Sequence, residues 1–349
     1  MFFPVLIPEF APQSGVLVTW PHQQSDWKDQ LDSVEPVYLE IARAVTTHEQ
    51  LLVICHDASH RQGIIERLAG AAISTRNISF ACVPSNDTWV RDYGPLAVRL
   101  DGKMILQDYT FNAWGGKYAA ALDDQVTGAL YRAGVFGEPG YQRYGLVLEG
   151  GSIDVDGCGT LLTTTRCLLA ATRNPGLGKD GLEDCFHRQL GIERVLWLEH
   201  GALSGDDTDA HVDMLARFCS PDTIAYSQCP DPNDAHNLSL AAMEQELLEF
   251  RTVSGEPYRL VPLPIPQPIH DKQGQRLPAS YANFLVINDA VLLPVYDDPA
   301  DRIAQQALAA CFPERDIIPI NCLALIRQYG SLHCATMQLP AGVLPAASD

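Results

Sequence analysis

The stretch TDAHVDMLARF, Thr208–Phe218, sets an imidazole and a carboxylate two residues apart, at His211 and Asp213. Read as a half-buried strand it alternates faces, so Val212, Met214, Ala216 and Phe218 share one side. His211 and Asp213 then share the other. A neighbouring carboxylate orients an imidazole and favours its charged form, which suits general acid–base work better than a structural role. Asp206, Asp207 and Asp209 crowd the approach to the pair. His plus Asp can also begin a metal ligand set. The sequence offers no HxxxH helix and no nearby second His–carboxylate pair to complete one, so no metal is expected.

Four further segments carry groups of the same kind. NDTWVRDYGPLAV places Asp92 beside Arg91 and near Trp89 at the mouth of a strand, while Asp87 reads as a turn residue. LVLEGGSIDVDGCGTLLTT brings Glu149 out of an apolar strand onto two glycines, where close backbone approach or a sharp turn is expected. QYGSLHCATMQLP sets Cys334 in a short strand-like segment after a glycine turn, a setting in which a reactive thiolate can be exposed. SYANFLVIN opens with Ser280, Tyr281 and Asn283, equally consistent with ordinary turn chemistry.

One thiol, one imidazole and several carboxylates at strand ends narrow the chemistry. A Cys–His pair alone suits a protease or amidase, but such enzymes need hydrogen-bond donors to hold an oxyanion. Here acceptors are in excess. They suit a substrate carbon that is already cationic and carries N–H donors, and a guanidinium meets carboxylates bidentately.

The elements that must position these groups are short strands such as GVLVTW, LLVIC, TLLTT, RVLWL and NFLVIN. Between them lie helical patterns, among them VEPVYLEIARAV, KDGLEDCFHRQLG, DAHNLSLAAMEQELLEF and DPADRIAQQALAACF. The last three recur at roughly 55–65 residues, each within a unit that mixes hairpin strands with one helix. No linker or charge block divides the 349 residues, so residues 1–349 read as one α/β domain of related modules. Pro262–Tyr281 reads as a long loop, the kind that often covers a site.

Composition bounds the partners. The formal charge of −19 excludes nucleic acid and anionic membrane surfaces as natural ones and favours a cation. No apolar stretch reaches the length of a membrane span, and the N-terminus lacks a secretion pattern. Ten cysteines scattered singly, with no CxxC, point to reduced thiols in the cytoplasm rather than disulfides or structural zinc.

Taken together, LVTWPHQQSDW, NDTWVRDYGP, EGGSIDVDGCGT, DDTDAHVDMLARF, SYANFLVINDAVLLPVYDD and SLHCATMQLP resemble, in order and over nearly the whole chain, the agmatine deiminase family of guanidine-modifying enzymes. More loosely they resemble the bacterial peptidyl-arginine deiminases. The resemblance implies a five-bladed α/β propeller with pseudo-fivefold ββαβ modules around a central channel. It implies Cys334 as nucleophile and His211 as general acid and base. Asp92 and Asp213 would clamp the guanidinium, and Glu149 would hold His211 or a third nitrogen. Trp89 would line the channel with Asn283 beside the substrate, and no cofactor is implied. The substrate expected is agmatine, whose ammonium suits the Asp206, Asp207 and Asp209 cluster. Arginine or peptidyl-arginine is the alternative, with Arg91 or Lys117 to hold a carboxylate, and an amidinotransferase the remoter one. A homo-oligomer is compatible with the sequence. The chain departs from the family at TDAHVD, where TNGHVD is usual, and at QYGS, where a triple glycine is usual.

Overall fold

Five small sheets repeat one plan in a computed structural model of the chain, which describes residues 3–346. In each, an antiparallel strand pair, a hairpin in four of the five, is followed by a helix and then by a strand laid parallel to the pair's inner strand. One unit is Ile153–Val155, Thr160–Thr164, the helix Lys179–Leu190 and Arg194–Leu198. The next is Ala216–Ser220, Thr223–Gln228, the helix Asn237–Glu249 and Arg259–Pro264. Leu285–Ile287, Ala290–Val295, the helix Asp301–Cys311 and Asp316–Asn321 form a third. Leu96–Leu100, Lys103–Thr110 and Gly140–Val147, with the helix Val126–Arg132, form another and gain Val5–Leu6 at the edge. The last sheet joins the two ends of the chain. Thr336–Pro340 pairs antiparallel with Gln13–Thr19, which runs parallel to Gln50–Cys55 across the helix Leu31–His48. Ile78–Cys82 lies at its far edge.

Local chemistry explains these elements. Leu31–His48 buries Val34, Val37, Tyr38, Ile41 and Val45, the three- and four-residue spacing of one helix face. After Gln50 the strand Gln50–Cys55 is apolar to its end, because a central parallel strand is covered on both sides. Lys179–Leu190 buries Leu182, Phe186 and Leu190 and stops at Gly191, whose φ of 71° is the left-handed conformation that ends helices. The mixed α/β class and the module of hairpin, helix and strand agree with the sequence. No helix among the described residues is long and apolar enough to cross a membrane.

Three expectations need correction. Thr208–Phe218 is not one strand. Asp209 and Ala210 take left-handed φ values of 69° and 68°, Val212–Met214 form a single 3-10 turn, and the strand starts at Ala216. Thr208 imposes the turn, because its Oγ1 accepts the His211 N–H. Cys334 likewise stands before its strand, which begins at Thr336. Pro262–Pro264 belong to the strand Arg259–Pro264, so the long loop starts later than the prolines suggest. Those prolines are tolerated because the strand is an edge, paired on one side only.

Candidate active site

The turn Gly150–Ser152 is where the chemistry-bearing side chains meet. A Cβ on Gly151 would stand 2.7 Å from His211 Nδ1, 2.8 Å from Asp92 Oδ1 and 3.0 Å from Asp213 Oδ2. The glycine is needed for space, since any side chain would push these three groups apart. Asp92 lies in the short helix Val90–Tyr93, which the sequence showed only as the approach to a strand. Its Oδ1 accepts the Gly151 N–H at 3.0 Å and its Oδ2 accepts Trp114 Nε1–H at 2.8 Å. His211 Nδ1 lies 3.6 Å from Asp92 Oδ1. His211 and Asp213 do converge, as expected, but through the tight turn between them and not through strand alternation.

Cys334 is held from Asn283. The asparagine Oδ1 accepts the N–H of His333 at 2.8 Å and of Cys334 at 3.4 Å, and its Nδ2 lies 3.3 Å from Cys334 Sγ. Asp213 Oδ2 is 3.8 Å from the same sulfur. Of the two roles expected of Glu149, holding His211 is not the one seen. Its Oε1 accepts from Arg173 Nε at 2.9 Å, in an ion pair with both side chains fully buried, and it makes no hydrogen bond to His211. Its Oε2 has no partner among the described residues, and the same holds for Asp213 Oδ1 and His211 Nε2.

Burial sets the electrostatics, and the charged neighbours then modify it. Burial pushes the Asp92 carboxyl up to about 6, with Asp213 and Glu149 adding to the rise and His211 opposing it. Burial works against a charged His211, but Asp92, Cys167 and Glu149 together hold its pKa well above the usual histidine value. Asp213 is also opposed by burial, yet the His333 contact brings it below the usual carboxylate range. Burial, then Asp213 and Asp92, push the Cys334 thiol well up, so a cation must arrive before it ionises easily.

Of these groups Asp92 and Cys334 line a cavity of about 290 Å³, together with Trp89, Trp114, Tyr118 and Thr208. Trp89 is therefore where the sequence put it; Gly330 packs so closely that an added Cβ would lie 2.4 Å from its ring. Asp26, Asp87, Asp207, Arg327 and Tyr329 complete the walls. The acidic cluster is only partly available. Asp209 is taken by Arg173 and Lys117, and Asp206 accepts from Thr208 and from the Ala210 N–H. Asp207 alone of the three lines the cavity, accepting Tyr118 Oη–H at 2.7 Å. Neither proposed carboxylate holder is free: Arg91 is buried against Glu9 and Gln338, and Lys117 is bound to Asp209.

Sequence reasoning missed several residues. Trp114 sits in NAWGG with φ 54° and ψ 42°, a strained conformation for a bulky side chain and a mark of functional sites. The two following glycines were the available signal. Arg173, Arg327 and His333 carried no signal, because each looks like an ordinary surface or core residue out of context. Glu149, Cys167 and His211 offer ligand atoms within 4.8 Å of one another. The Arg173 guanidinium paired with Glu149 opposes a metal cation there.

The family model of Porphyromonas-type peptidyl-arginine deiminases matches residues 5–340. The chain belongs to that family. Within it, an agmatine deiminase of Stutzerimonas stutzeri is 33% identical, over 95% of this chain and 94% of its own. A C. jejuni agmatine deiminase solved with substrate bound superposes with a TM-score of 0.90 at 34% identity, covering 97% of this chain and 96% of that one. A Porphyromonas gingivalis structure described provisionally as an arginine deiminase superposes at 0.92 with 45% identity, covering 98% and 100%.

Proposed function

We propose that this chain hydrolyses a guanidino compound to the ureido product and ammonia, with agmatine, giving N-carbamoylputrescine, as the preferred substrate. One observation carries the proposal: an imidazole and two carboxylates converge on Gly151, the Cys334 thiol lies 3.8 Å from one of those carboxylates, and Glu149 Oε2 and Asp213 Oδ1 are left unpartnered. Buried acceptors without donors are costly, and a planar cation with several N–H groups would satisfy them. Asp92 and Asp213 clamp the guanidinium, Glu149 takes a further N–H through its free oxygen, and Trp89 packs along the channel. The bound cation lowers the pKa of the Cys334 thiol, its proton passes to water, and the thiolate adds to the guanidinium carbon. His211 gives its proton to the departing nitrogen, the C–N bond breaks, ammonia leaves and an amidino-thioether remains. Neutral His211 then takes a proton from water, hydroxide adds, the C–S bond breaks to return the thiolate, and the proton left on the product oxygen passes through water to the released ammonia, so that the neutral ureido product and ammonium result. Asn283 holds the thiol in line and needs no contact with substrate.

Carboxylates Asp26, Asp87 and Asp207 in the cavity wall support an ammonium tail, and the net charge of −19 supports a cationic ligand. Arg327 in the same wall favours a second reading, arginine or peptidyl-arginine giving citrulline. The family matches to both kinds of relative are compatible with either. We read the five sheets as the blades of a propeller around this channel, within one domain spanning residues 1–349 and working in the cytoplasm; the ten thiols, all free, support that compartment. The deciding experiment measures ammonia and ureido product from agmatine, arginine and a short peptide ending in arginine. Agmatine should exceed the others in kcat/KM by about tenfold or more, and turnover of arginine or the peptide alone would transfer the proposal to the second reading.

A further inference from the structure

His333 takes no part in the steps above, although it immediately precedes the nucleophile. Its ring is 2% exposed, and each nitrogen meets a different carboxylate. Nδ1 lies 2.8 Å from Asp213 Oδ2, and Nε2 lies 2.7 Å from Glu9 Oε2. Both ring nitrogens therefore face carboxylate oxygens. Glu9 is itself fixed: Arg217 Nη2 donates to it at 2.9 Å, Arg91 lies 3.5 Å away, and its other oxygen accepts the Val286 N–H at 2.7 Å. Arg217 is held in turn by Asp154 and by the Phe284 carbonyl. This buried network lies behind the cavity that opens on Cys334, and the ring joins the two.

We infer that His333 is a positioning residue, through which Glu9 fixes the orientation of Asp213 and offsets its charge beside the Cys334 thiol. Three contacts lead to this. By occupying Asp213 Oδ2, the ring leaves Oδ1 as the oxygen that can meet substrate. Asp213 Oδ2 is also the carboxylate oxygen 3.8 Å from the thiol, so the charge paired on it is charge that no longer opposes ionisation of Cys334. Finally, the backbone N–H groups of His333 and Cys334 share Asn283 Oδ1, so ring and nucleophile are placed by one anchor.

The inference rests on Cys334 and Asp213 being reaction groups, so the test avoids substrate. Alkylation of Cys334 by iodoacetamide, followed by mass spectrometry of its peptide, is measured against pH in the wild type, His333→Gln, Asp213→Asn and the double variant. The glutamine amide reaches the Nε2 position and keeps the Glu9 contact but not the one to Asp213. The alkylation midpoint should rise by about one pH unit in His333→Gln, a roughly tenfold lower rate below the midpoint, and should move by less than about twofold in rate once Asp213 is already Asn. If His333→Gln does not fold, the cycle is run with His333→Asn, whose amide reaches the Nδ1 position. That variant should show a smaller shift of the same sign, again lost without Asp213. A profile that overlays the wild type, or a shift of equal size with and without Asp213, overturns the inference. Failure to turn over any guanidino compound would remove the proposed reaction, while the alkylation result would still decide the role of His333.

Discussion

In the proposed reaction, the balance of forces on Asp92 decides substrate capture. Burial, with Asp213 and Glu149 nearby, lifts it to about 6, whereas the substrate guanidinium keeps its charge far above that. Below about 6 the folded enzyme carries a neutral Asp92 and loses an attraction to the cation; above it the carboxylate is restored. His211 does not set this limb, because its pKa is held well above the usual value and it stays protonated there. We therefore expect kcat/KM to fall as pH drops through about 6. Asp92→Asn should flatten that limb and lower the plateau by about 10²–10³-fold, the scale of removing a buried charged partner. A variant whose pH profile parallels the wild type would contradict this assignment. Cys334, His211, Asp92 and Asp213 stood out in the sequence as reactive groups at turns and strand ends, whereas Asn283 read equally as turn chemistry and was placed only by the family resemblance. Trp114, Arg173 and His333 were not legible there, since their roles lie in contacts with residues far away in the chain, as with Glu9 and His333, 324 positions apart.

At the scale of the element, turns rather than strands carry the site. Asp209, Ala210 and Tyr329 all adopt left-handed φ, at 69°, 68° and 67°. These are the segments where the chain departs from the Asn-Gly and triple-glycine patterns of the agmatine deiminases it resembles. The backbone shape persists with side chains that are less suited to it. The sequence read as an alternating strand there because the apolar letters have period two, and alternation alone cannot separate a strand from a turn held by Thr208. Gly151 is the most exacting element position. Gly151→Ala would place a methyl within 3.0 Å of His211, Asp92 and Asp213 side-chain atoms. Displacing them by about an ångström should cost about 10²-fold or more in kcat/KM, with circular dichroism preserved. Activity within about threefold of wild type would show that the three groups need not meet there.

Over the whole molecule, the repeated module was legible from its periodicity, but the joining of the chain's ends was not. Pairing of Thr336–Pro340 with Gln13–Thr19 is a contact between segments whose sequences contain no sign of each other. Past the ends of two strands of the same sheet, with His60 from the helix Ala58–Gly70, lies a cluster of histidines outside the site. The His22 ring centroid is 4.3 Å from that of His56 and 5.8 Å from that of His60. Burial, followed by His56 and His60, brings the His22 pKa down to about 4, and His60 is lowered as well. The unfolded chain binds a proton at these rings below about 6.5 while the fold keeps His22 neutral until about 4. Stability should thus fall as pH drops across that window, with His22 alone contributing about 2–3 kcal/mol by pH 4.5. Urea unfolding of the wild type and His22→Gln at pH 7 and 4.5 checks it; an equal loss in both proteins would remove His22 as the cause.

The central claim is that Cys334 forms a covalent bond to the substrate carbon, and acid-quenching the enzyme during turnover of agmatine tests it most directly. Mass spectrometry should then find the Cys334 peptide heavier by one substrate less one ammonia, with the adduct absent from Cys334→Ala and that variant inactive. Undiminished turnover by Cys334→Ala, or an adduct on a different residue, would contradict the account.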